Sequence, residues 1–458
     1  MQRQRFSVLS LALLAAVIGL LAGNETRAQS RSVQIKLPSP RDLARSGLER
    51  SWWGQATINP SRDTVRHLVA DEETVFIQST AGVMTAFDAE NGRKIWAVQL
   101  GRNDQISYPA VTNKELVLIA VGMRVHALDR DTGERMWDLE LDRHPSTSPS
   151  LDENYVYIGA IDGSVYAYDL RKIHQLFNEN LLPQWTNVAL AWRFRATREI
   201  TSAPISNGRV VSFASRDRSL YSVTCDKREV VFQFESQYPA SAPLAEKGDS
   251  IFLVSGDQNV YCVNINNGKM NWRFVTGSLV DEAPQIIGEK LFLVSEFGGM
   301  YCIDAKSGRL LWNNPQIVSF VSASDKAVYA TDKFNHVLML ALDTGLILGD
   351  LQLSQFTVHF PNSRTDRMFM CTPSGMIVAL KEIGNDFPIY HQNPHDRPIL
   401  PEIAPEKEAA TEDVKTEAPA EPETNDAEPE SEESDTSDAD DADPETDETE
   451  ETEDDANP

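Results

Sequence analysis

The pattern of apolar and polar positions repeats along most of the chain. An apolar segment ends at an Asp or Asn, a Gly follows four residues later, and a Trp stands eight residues after the Asp or Asn. Four copies are complete, at residues 82–96, 125–137, 260–272 and 300–312. The pattern predicts two β-strands joined by a tight turn, in which the Gly supplies a positive φ and the Asp bonds to nearby backbone amides.

Weaker copies fill the gaps between the complete ones. The position of the Asp or Asn recurs at residues 88, 129, 169, 224, 264, 304, 341 and 381, which gives eight units of about 40 residues. The repeat residues are Asp88, Gly92, Trp96, Asp129, Gly133, Trp137, Trp192, Asn264, Gly268, Trp272, Asp304, Gly308 and Trp312. An apolar strand lies upstream of the strong copies, and a Pro-marked segment precedes it, with prolines at residues 109, 149, 204, 243 and 284. Four short strands per unit predict an all-β, eight-bladed β-propeller of four-stranded blades.

The two ends of the repeat predict how the ring closes. The eighth copy, which ends near Lys381, has no Trp-bearing strand after it, whereas residues 48–53 near the N-terminus carry Trp52 and Trp53. We therefore expect the N-terminal segment to supply the outer strand of the last blade, antiparallel to residues near Ile377. This join hides the strand edge that each end would otherwise expose.

The tryptophans and cysteines each allow a chemical and a structural interpretation. One large ring per unit, at a fixed position, favours packing against the next blade over a cofactor box. Cys225, Cys262, Cys302 and Cys371 contain no CxxC pair, and Cys262 and Cys302 share a position at which other units have a small residue. Small buried thiols and a structural disulfide both stay open for them.

At this point the unit resembles the repeat of quinoprotein-like (PQQ-repeat) β-propellers, over roughly residues 48–390. The architecture is also similar to BamB-type outer-membrane assembly propellers. The resemblance implies either a protein-binding scaffold or a quinone-dependent oxidoreductase. Such oxidoreductases have an adjacent cysteine pair at the cofactor, which this chain lacks, and it has no G-x-S-x-G motif. We expect no catalytic residue, no cofactor and no metal ion, with a propeller for small ligands or polysaccharides as a further alternative.

The chain ends predict export and an acidic tail. Residues 1–28 combine two early arginines, a 17-residue apolar run and a small-residue exit, which is typical of a secretion signal; an uncleaved membrane anchor is the alternative. Residues 29–47 predict a lead-in with a short helix, and residues 391–458 a disordered tail. Residues 401–458 hold 26 acidic residues and two lysines, so most of the net charge of −27 lies there. The nearly neutral remainder argues against nucleic-acid binding.

Two irregularities of the repeat are candidate partner-binding sites. The third interval is 55 residues long, and within its insertion Ile173, Leu176 and Phe177 follow helical spacing, with Trp185 after them. Asp281 and Glu282 stand where other units have Ser. A helix that packs on the ring and a solvated loop are the respective alternatives. The sequence as a whole predicts a non-catalytic scaffold of the cell envelope, a monomer that binds envelope or outer-membrane proteins within a larger complex.

Overall fold

The computed structural model describes residues 36–392. The predicted secretion signal and the acidic stretch from about residue 401 lie outside the described residues. Within them, 32 strands form eight four-stranded antiparallel sheets, which confirms the eight-bladed propeller. We call the strands of a blade A to D in the order in which they pair.

Strand D of the last blade is the first strand of the chain, β1 (Leu48–Gln55). Blades 1 to 4 consist of β2 (Val65–Ala70), β3 (Thr74–Ser79), β4 (Val83–Asp88) and β5 (Lys94–Gln99); β6 (Val111–Thr112), β7 (Leu116–Val121), β8 (Arg124–Asp129) and β9 (Arg135–Glu140); β10 (Ser150–Leu151), β11 (Tyr155–Gly159), β12 (Ser164–Asp169) and β13 (Leu190–Arg195); and β14 (Ile205–Ser206), β15 (Val210–Ala214), β16 (Ser219–Thr224) and β17 (Val230–Glu235). Blades 5 to 8 consist of β18 (Ala245–Lys247), β19 (Ser250–Ser255), β20 (Asn259–Asn264) and β21 (Met270–Val275); β22 (Gln285–Ile287), β23 (Lys290–Ser295), β24 (Gly299–Asp304) and β25 (Leu310–Asn314); β26 (Ile317–Ala323), β27 (Ala327–Asp332), β28 (His336–Ala341) and β29 (Ile347–Gln352); and β30 (Val358–His359), β31 (Met368–Cys371) and β32 (Met376–Glu382), completed by β1.

The ring closes as the sequence predicted. Strand β1 pairs antiparallel with β32, and this pairing places Trp52 opposite Ala379 and Gly54 opposite Ile377. The last blade therefore takes three strands from one end of the repeat and one from the other, and β32 is paired on both sides.

Strand direction defines two faces of the ring. Because the four strands of a blade alternate in direction, the A–B and C–D turns lie on one face, which we call the CD face. The B–C turns and the connections from strand D to the next blade lie on the opposite face, which we call the DA face. The A strands of neighbouring blades contact one another, for example β18 and β22, whereas the D strands expose alternate residues. The A strands therefore surround the centre of the ring and the D strands form its rim.

The core lies between the blades. The described residues contain eight clusters of buried apolar side chains, one for each interface between neighbouring blades. In strands β3 and β7 every residue is buried, because blades cover both sides of these sheets. Burial of this apolar area against both neighbours is the main stabilising term of the ring.

A Trp–Gly contact repeats at the CD face. The indole N–H of Trp96 donates to the carbonyl of Arg130 in the next blade at 2.8 Å, and the ring covers Gly133 of the C–D turn in that blade. Gly133 has a φ of +71°, and a Cβ there would lie 2.5 Å from Trp96. The Gly is therefore required twice, for the turn and for the neighbouring ring. The other pairs of this kind are Trp52 with Gly92, Trp272 with Gly308 and Trp312 with Gly345.

Trp192 keeps the hydrogen bond, to the carbonyl of Cys225 at 2.6 Å, but faces a turn with Arg228 in place of Gly, whereas Trp137 has neither the hydrogen bond nor the turn. The buried indole N–H of Trp137 has no hydrogen-bond partner among the described residues. In the next blade the turn is replaced by helix α2 (Leu170–Asn178), which follows β12 directly, and by a later 3-10 turn (Thr186–Ala189). Trp137 packs instead against Ile173, Leu176 and Ala189 of this insertion.

The other α-helix, α1 (Pro40–Arg45), comes first in the chain and precedes β1. The side chain of Ser39 caps it by accepting a hydrogen bond from the backbone N–H of Asp42 at 3.2 Å. Leu43 is buried among apolar residues of blades 7 and 8, and the Ser46 hydroxyl donates to the carbonyl of Asp350 at 3.3 Å. The helix thus packs over the interface where strand D of blade 7 carries no Trp.

Candidate functional site

The insertion of blade 3 was the first candidate site. Helix α2 begins at the cap Asp169, whose carboxylate accepts from two backbone amides of the first turn. Ile173 and Leu176 are buried in the interface of blades 2 and 3, which corrects the expectation that they bind a partner: they replace the missing turn. Phe177 and Trp185 remain 37% and 53% exposed, on the CD face.

The second candidate, Glu282, belongs to a cluster that joins three consecutive blades at their inner strands. Glu282 precedes β22, Ser319 lies in β26 and His359 lies in β30. The Ser319 hydroxyl donates to Glu282 Oε1 at 2.6 Å, and Ser319 Oγ lies 2.7 Å from His359 Nε2. Asp281, next to Glu282, is exposed and lies outside this hydrogen-bonded set.

Burial governs the electrostatics of this cluster. It raises the pKa of Glu282, although the hydrogen bond from Ser319 opposes the shift, and it lowers the pKa of His359. With the Ser319 proton directed at Glu282, His359 Nε2 donates to Ser319, so that His359 does not serve as a base for this hydroxyl. His359 Nδ1 is buried without a partner among residues 36–392. The geometry is that of a polar tie between blades, and it does not assemble an activated serine.

Sequence reasoning missed the exposed apolar side chains of the DA face. Phe297, in the B–C turn of blade 6, is 80% exposed, and Phe334, in that of blade 7, is 59% exposed. Leu279 adjoins Phe297, since its carbonyl accepts from the backbone N–H of Glu296 at 2.8 Å. Large apolar residues in tight turns are unusual, because turns favour Gly, Asn, Asp and Ser. The exposed apolar residues of this face are Ile106, Met123, Ile161, Tyr238, Leu279, Phe297 and Phe334.

Charge divides the DA face into two sectors. Blades 5 to 7 place acidic side chains beside the apolar turns, and we call this region the acidic sector. Blades 3 and 4 place exposed arginines there. The acidic sector contains Asp257, Asp281, Glu282, Glu296 and Asp332, together with one lysine, Lys333, whose ammonium lies 5.1 Å from the centre of the Phe334 ring. The arginines are Arg143, Arg195, Arg198, Arg216 and Arg218. Several of these arginines are paired locally, such as Arg216 with Glu199 at 3.2 Å.

The CD face also exposes apolar residues, in two separate groups. Trp185 and Val188 extend from the insertion of blade 3. Leu346, Ile383 and Phe387 lie near the ends of blades 7 and 8. Residues of these two groups can therefore serve as controls when a binding role is tested for the apolar residues of the DA face.

The four cysteines are buried and unpaired. They belong to different blades, at the end of β16 and in β20, β24 and β31, and burial raises the pKa of Cys302 and of Cys371 to about 12. Of the two interpretations left open by the sequence, the structure supports small buried thiols. Residues 36–392 contain no group of three His, Cys, Asp or Glu side chains placed to hold a metal ion. None of the helices described in this range is both long and apolar enough to cross a membrane.

Comparisons with known proteins find one family profile and two similar solved structures. The family profile described as "Outer membrane protein assembly factor BamB" matches residues 43–274 and 229–359. The chain is structurally similar to BamB from Moraxella catarrhalis, with a TM-score of 0.57 and 13% identity over 74% of this chain and 98% of that one. It is also similar to the computationally designed Ika8 protein, with a TM-score of 0.56 and 14% identity over 71% of this chain and 98% of that one. These structural likenesses show the fold. No curated protein sequence matches the chain.

Proposed function

The chain belongs to the BamB family of outer membrane protein assembly factors, and on this premise we propose that it is a non-catalytic scaffold that holds a protein partner of the cell envelope on its DA face. The partner is an outer-membrane protein or a protein that assembles one. The ring acts as one subunit of a larger complex.

The observation that carries this proposal is the acidic sector of the DA face. Tyr238, Leu279, Phe297 and Phe334 expose large apolar side chains there, close to Asp257, Asp281 and the other carboxylates of the sector. Aromatic anchors with a charged rim are typical of protein interfaces, in which a few large side chains contribute most of the binding free energy. The sector therefore suits a partner segment that offers apolar pockets and basic side chains.

The ring is suited to holding a partner rigidly. Both sides of every blade are buried, and the polar tie of Glu282, Ser319 and His359 joins blades 6 to 8 beneath the sector. A rigid surface loses little conformational entropy on binding, which favours affinity for a given contact area.

The quinone-dependent alternative has less support. The adjacent cysteine pair that the resemblance leads one to seek is absent from the sequence, and the four cysteines lie in four different blades. For the location, the charged start and apolar run of residues 1–28 support export to the periplasm.

Photo-crosslinking in living cells tests the proposal. A photoreactive phenylalanine analogue is placed at position 297 or 334 of the full chain. The same analogue at position 185 or 387, both exposed on the CD face, is the matched control. We expect adducts at 297 and 334 that mass spectrometry identifies as an outer-membrane protein or one of its assembly proteins, and none at the controls. Adducts only at 185 or 387, or only with cytosolic proteins, contradict the assignment.

A pair of variants measures the energetic role of the same residues. Phe297→Ser and Phe334→Ser remove the two anchors, and both are expected to reduce recovery of the crosslinked partner at least tenfold. Ile161→Ser, in a turn of blade 3 on the same face, is the control. All three side chains are mostly exposed, so the variants should fold with unchanged melting temperatures.

A further inference from the structure

The aromatic contact between neighbouring blades is missing where blade 7 meets blade 8. In the pairing of strands C and D, Gly349 of β29 lies opposite Met339 of β28. The other seven blades place an aromatic residue at this register position: Trp52, Trp96, Trp137, Trp192, Phe232, Trp272 and Trp312. Blade 7 therefore lacks the ring that fills this part of the interface elsewhere in the propeller.

A cavity remains at this position, although helix α1 covers part of it. Leu43 of α1 is buried among apolar residues of blades 7 and 8. Beside it, a cavity of about 540 Å³ lies between the helix and β29, and its lining includes Gly349 and, at the helix end, Arg45 and Ser46. A smaller cavity of about 180 Å³ continues past the end of the strand to Phe356. The two cavities form one elongated groove, which we call the α1–β29 groove.

Strand β29 presents an unpaired edge to this groove. It is strand D of its blade and pairs only with β28. The Ser46 hydroxyl donates to the carbonyl of Asp350 at 3.3 Å, so the backbone of Asp350 points away from β28. Because backbone direction alternates along an antiparallel strand, the N–H and C=O of Gln352 point the same way. No turn, loop or cap bond among residues 36–392 uses these two groups, so an added strand can pair with them.

We propose that the α1–β29 groove docks an extended segment of a protein partner, with one large aromatic side chain seated at Gly349. The repeat indicates this occupant, because seven blades fill the equivalent space with an aromatic ring of their own. A Cβ built on Gly349 would meet only the Cε atom of Met339, 3.6 Å away, so the strand itself leaves room for a ring. A methionine side chain is flexible and makes favourable contacts with aromatic rings, so Met339 can adjust to the bound ring.

The flanking side chains suit the rest of such a segment. Leu346, Ile347 and Leu348 precede Gly349 on the same strand edge and are exposed. Arg45 lines the cavity and forms no ion pair among the described residues, so its guanidinium is available to the face of the bound ring. Main-chain pairing with β29 supplies affinity in this mode of binding, and the aromatic position supplies specificity. The best-suited segment is apolar and extended, with a Trp, Phe or Tyr among its residues.

Ligand-observed NMR titration tests the groove with a defined probe, the peptide acetyl-Thr-Val-Trp-Val-Thr-amide, and with the same peptide carrying Ala in place of Trp. The proteins are the full unchanged chain, Gly349→Trp, Gly349→Leu and Leu311→Trp. Gly349→Trp supplies the missing ring from the chain itself, and the φ of Gly349 is not positive, so a side chain is tolerated there. Leu311→Trp adds an indole to strand D of blade 6, at an exposed position, and is the matched control.

We expect the Trp peptide to bind at least about tenfold more tightly than the Ala peptide, because only the Trp peptide buries a ring. Gly349→Trp should weaken binding of the Trp peptide at least about tenfold, and Leu311→Trp should weaken it less than about threefold. Gly349→Leu fills less of the space than Gly349→Trp and should have an intermediate effect.

Equal affinity of the two peptides, or no binding by either, overturns the proposal. Binding of the Trp peptide that neither Gly349→Trp nor Gly349→Leu weakens also overturns it, since the peptide then lies elsewhere. If Gly349→Trp does not fold, Gly349→Leu and the comparison of the two peptides decide. Phe387, the crosslinking control, lines neither cavity of the groove, so this proposal and the one for the DA face can fail separately.

Discussion

Gly133→Ala tests whether the Gly of the repeat serves the neighbouring blade as well as its own turn. Gly277 is the matched control, because its φ is +72° against +71° for Gly133, and a Cβ on it would meet nothing within 4 Å. Both substitutions place Ala in the left-handed region, at a cost of about 1–2 kcal/mol. Only Gly133→Ala also drives a methyl group to 2.5 Å from the ring of Trp96.

Trp96 cannot move aside without further loss. Its indole N–H is bonded to the carbonyl of Arg130, and its ring lies 5.8 Å from that of Phe76. Overpacking of this kind costs about 1–3 kcal/mol beyond the backbone term. We therefore expect Gly133→Ala to lower the free energy of unfolding by about 2–5 kcal/mol, and Gly277→Ala by about 1–2 kcal/mol.

Urea unfolding followed by circular dichroism measures the free energy of unfolding of both variants. Equal m-values show that the two proteins expose the same surface area on unfolding, so that their free energies can be compared. Trp96→Leu supplies the second arm. In that background the cost of Gly133→Ala should fall to the cost of Gly277→Ala. If the two Gly→Ala variants differ by less than about 0.5 kcal/mol in the unchanged background, the contact does not constrain the repeat and the reasoning fails.

Three further predictions follow from the same structure. Trp52→Ala should cost about 3–5 kcal/mol by urea unfolding, because the buried ring closes the propeller, whereas Trp53→Ala, 51% exposed, should cost under about 1 kcal/mol. Trp96→Phe should cost about 1 kcal/mol more than Trp137→Phe, since only Trp96 loses a hydrogen bond; equal costs would contradict this. The raised pKa of Glu282 means that its protonated form favours the folded state. The contribution of Glu282 to the free energy of unfolding is full below the unfolded pKa of about 4.5 and is lost as pH rises through the folded pKa. Glu282→Gln should therefore stabilise the ring at pH 7.5 and not at pH 4.

The repeat was readable from the sequence because the same contacts recur in most blades. A Gly four residues after an Asp and a Trp eight residues after it describe one turn and one ring that covers the next turn. The same logic located the closing strand, since the copy that lacked its Trp had to find one elsewhere. Trp52 pairs where the repeat required it.

The orientation of α2 was beyond the sequence. Helical spacing of Ile173 and Leu176 predicts a helix with an apolar side, but it does not say what that side faces. The structure shows the reason for burial: without a C–D turn in blade 3, Trp137 leaves a space at the interface, and these two side chains fill it. An insertion that replaces a repeated contact is therefore first a packing element of the ring.

The partners of Glu282 were missed for a different reason. Ser319 and His359 lie in two of the weaker copies of the repeat, and the contact exists only between blades. One signal was present, since His359-Phe360-Pro361 repeats the spacing of Glu282-Ala283-Pro284. Equivalent positions in neighbouring blades meet at the inner strands, so polar residues that replace Ser there in two nearby units indicate a shared cluster.

Outside the glycines of its B–C turns, the exposed side chains of the DA face can vary at little cost to the ring, and this is a physical reason to place partner recognition there. Its B–C turns are fastened to the preceding connections by backbone hydrogen bonds, as from Gly122 to Ile106, from Ile161 to His144 and from Glu296 to Leu279. Such bonds do not depend on side-chain identity. On the CD face, by contrast, the Trp rings and glycines of neighbouring blades constrain each other. Substitutions on the DA face can therefore tune a partner surface while the interfaces between blades continue to hold the fold.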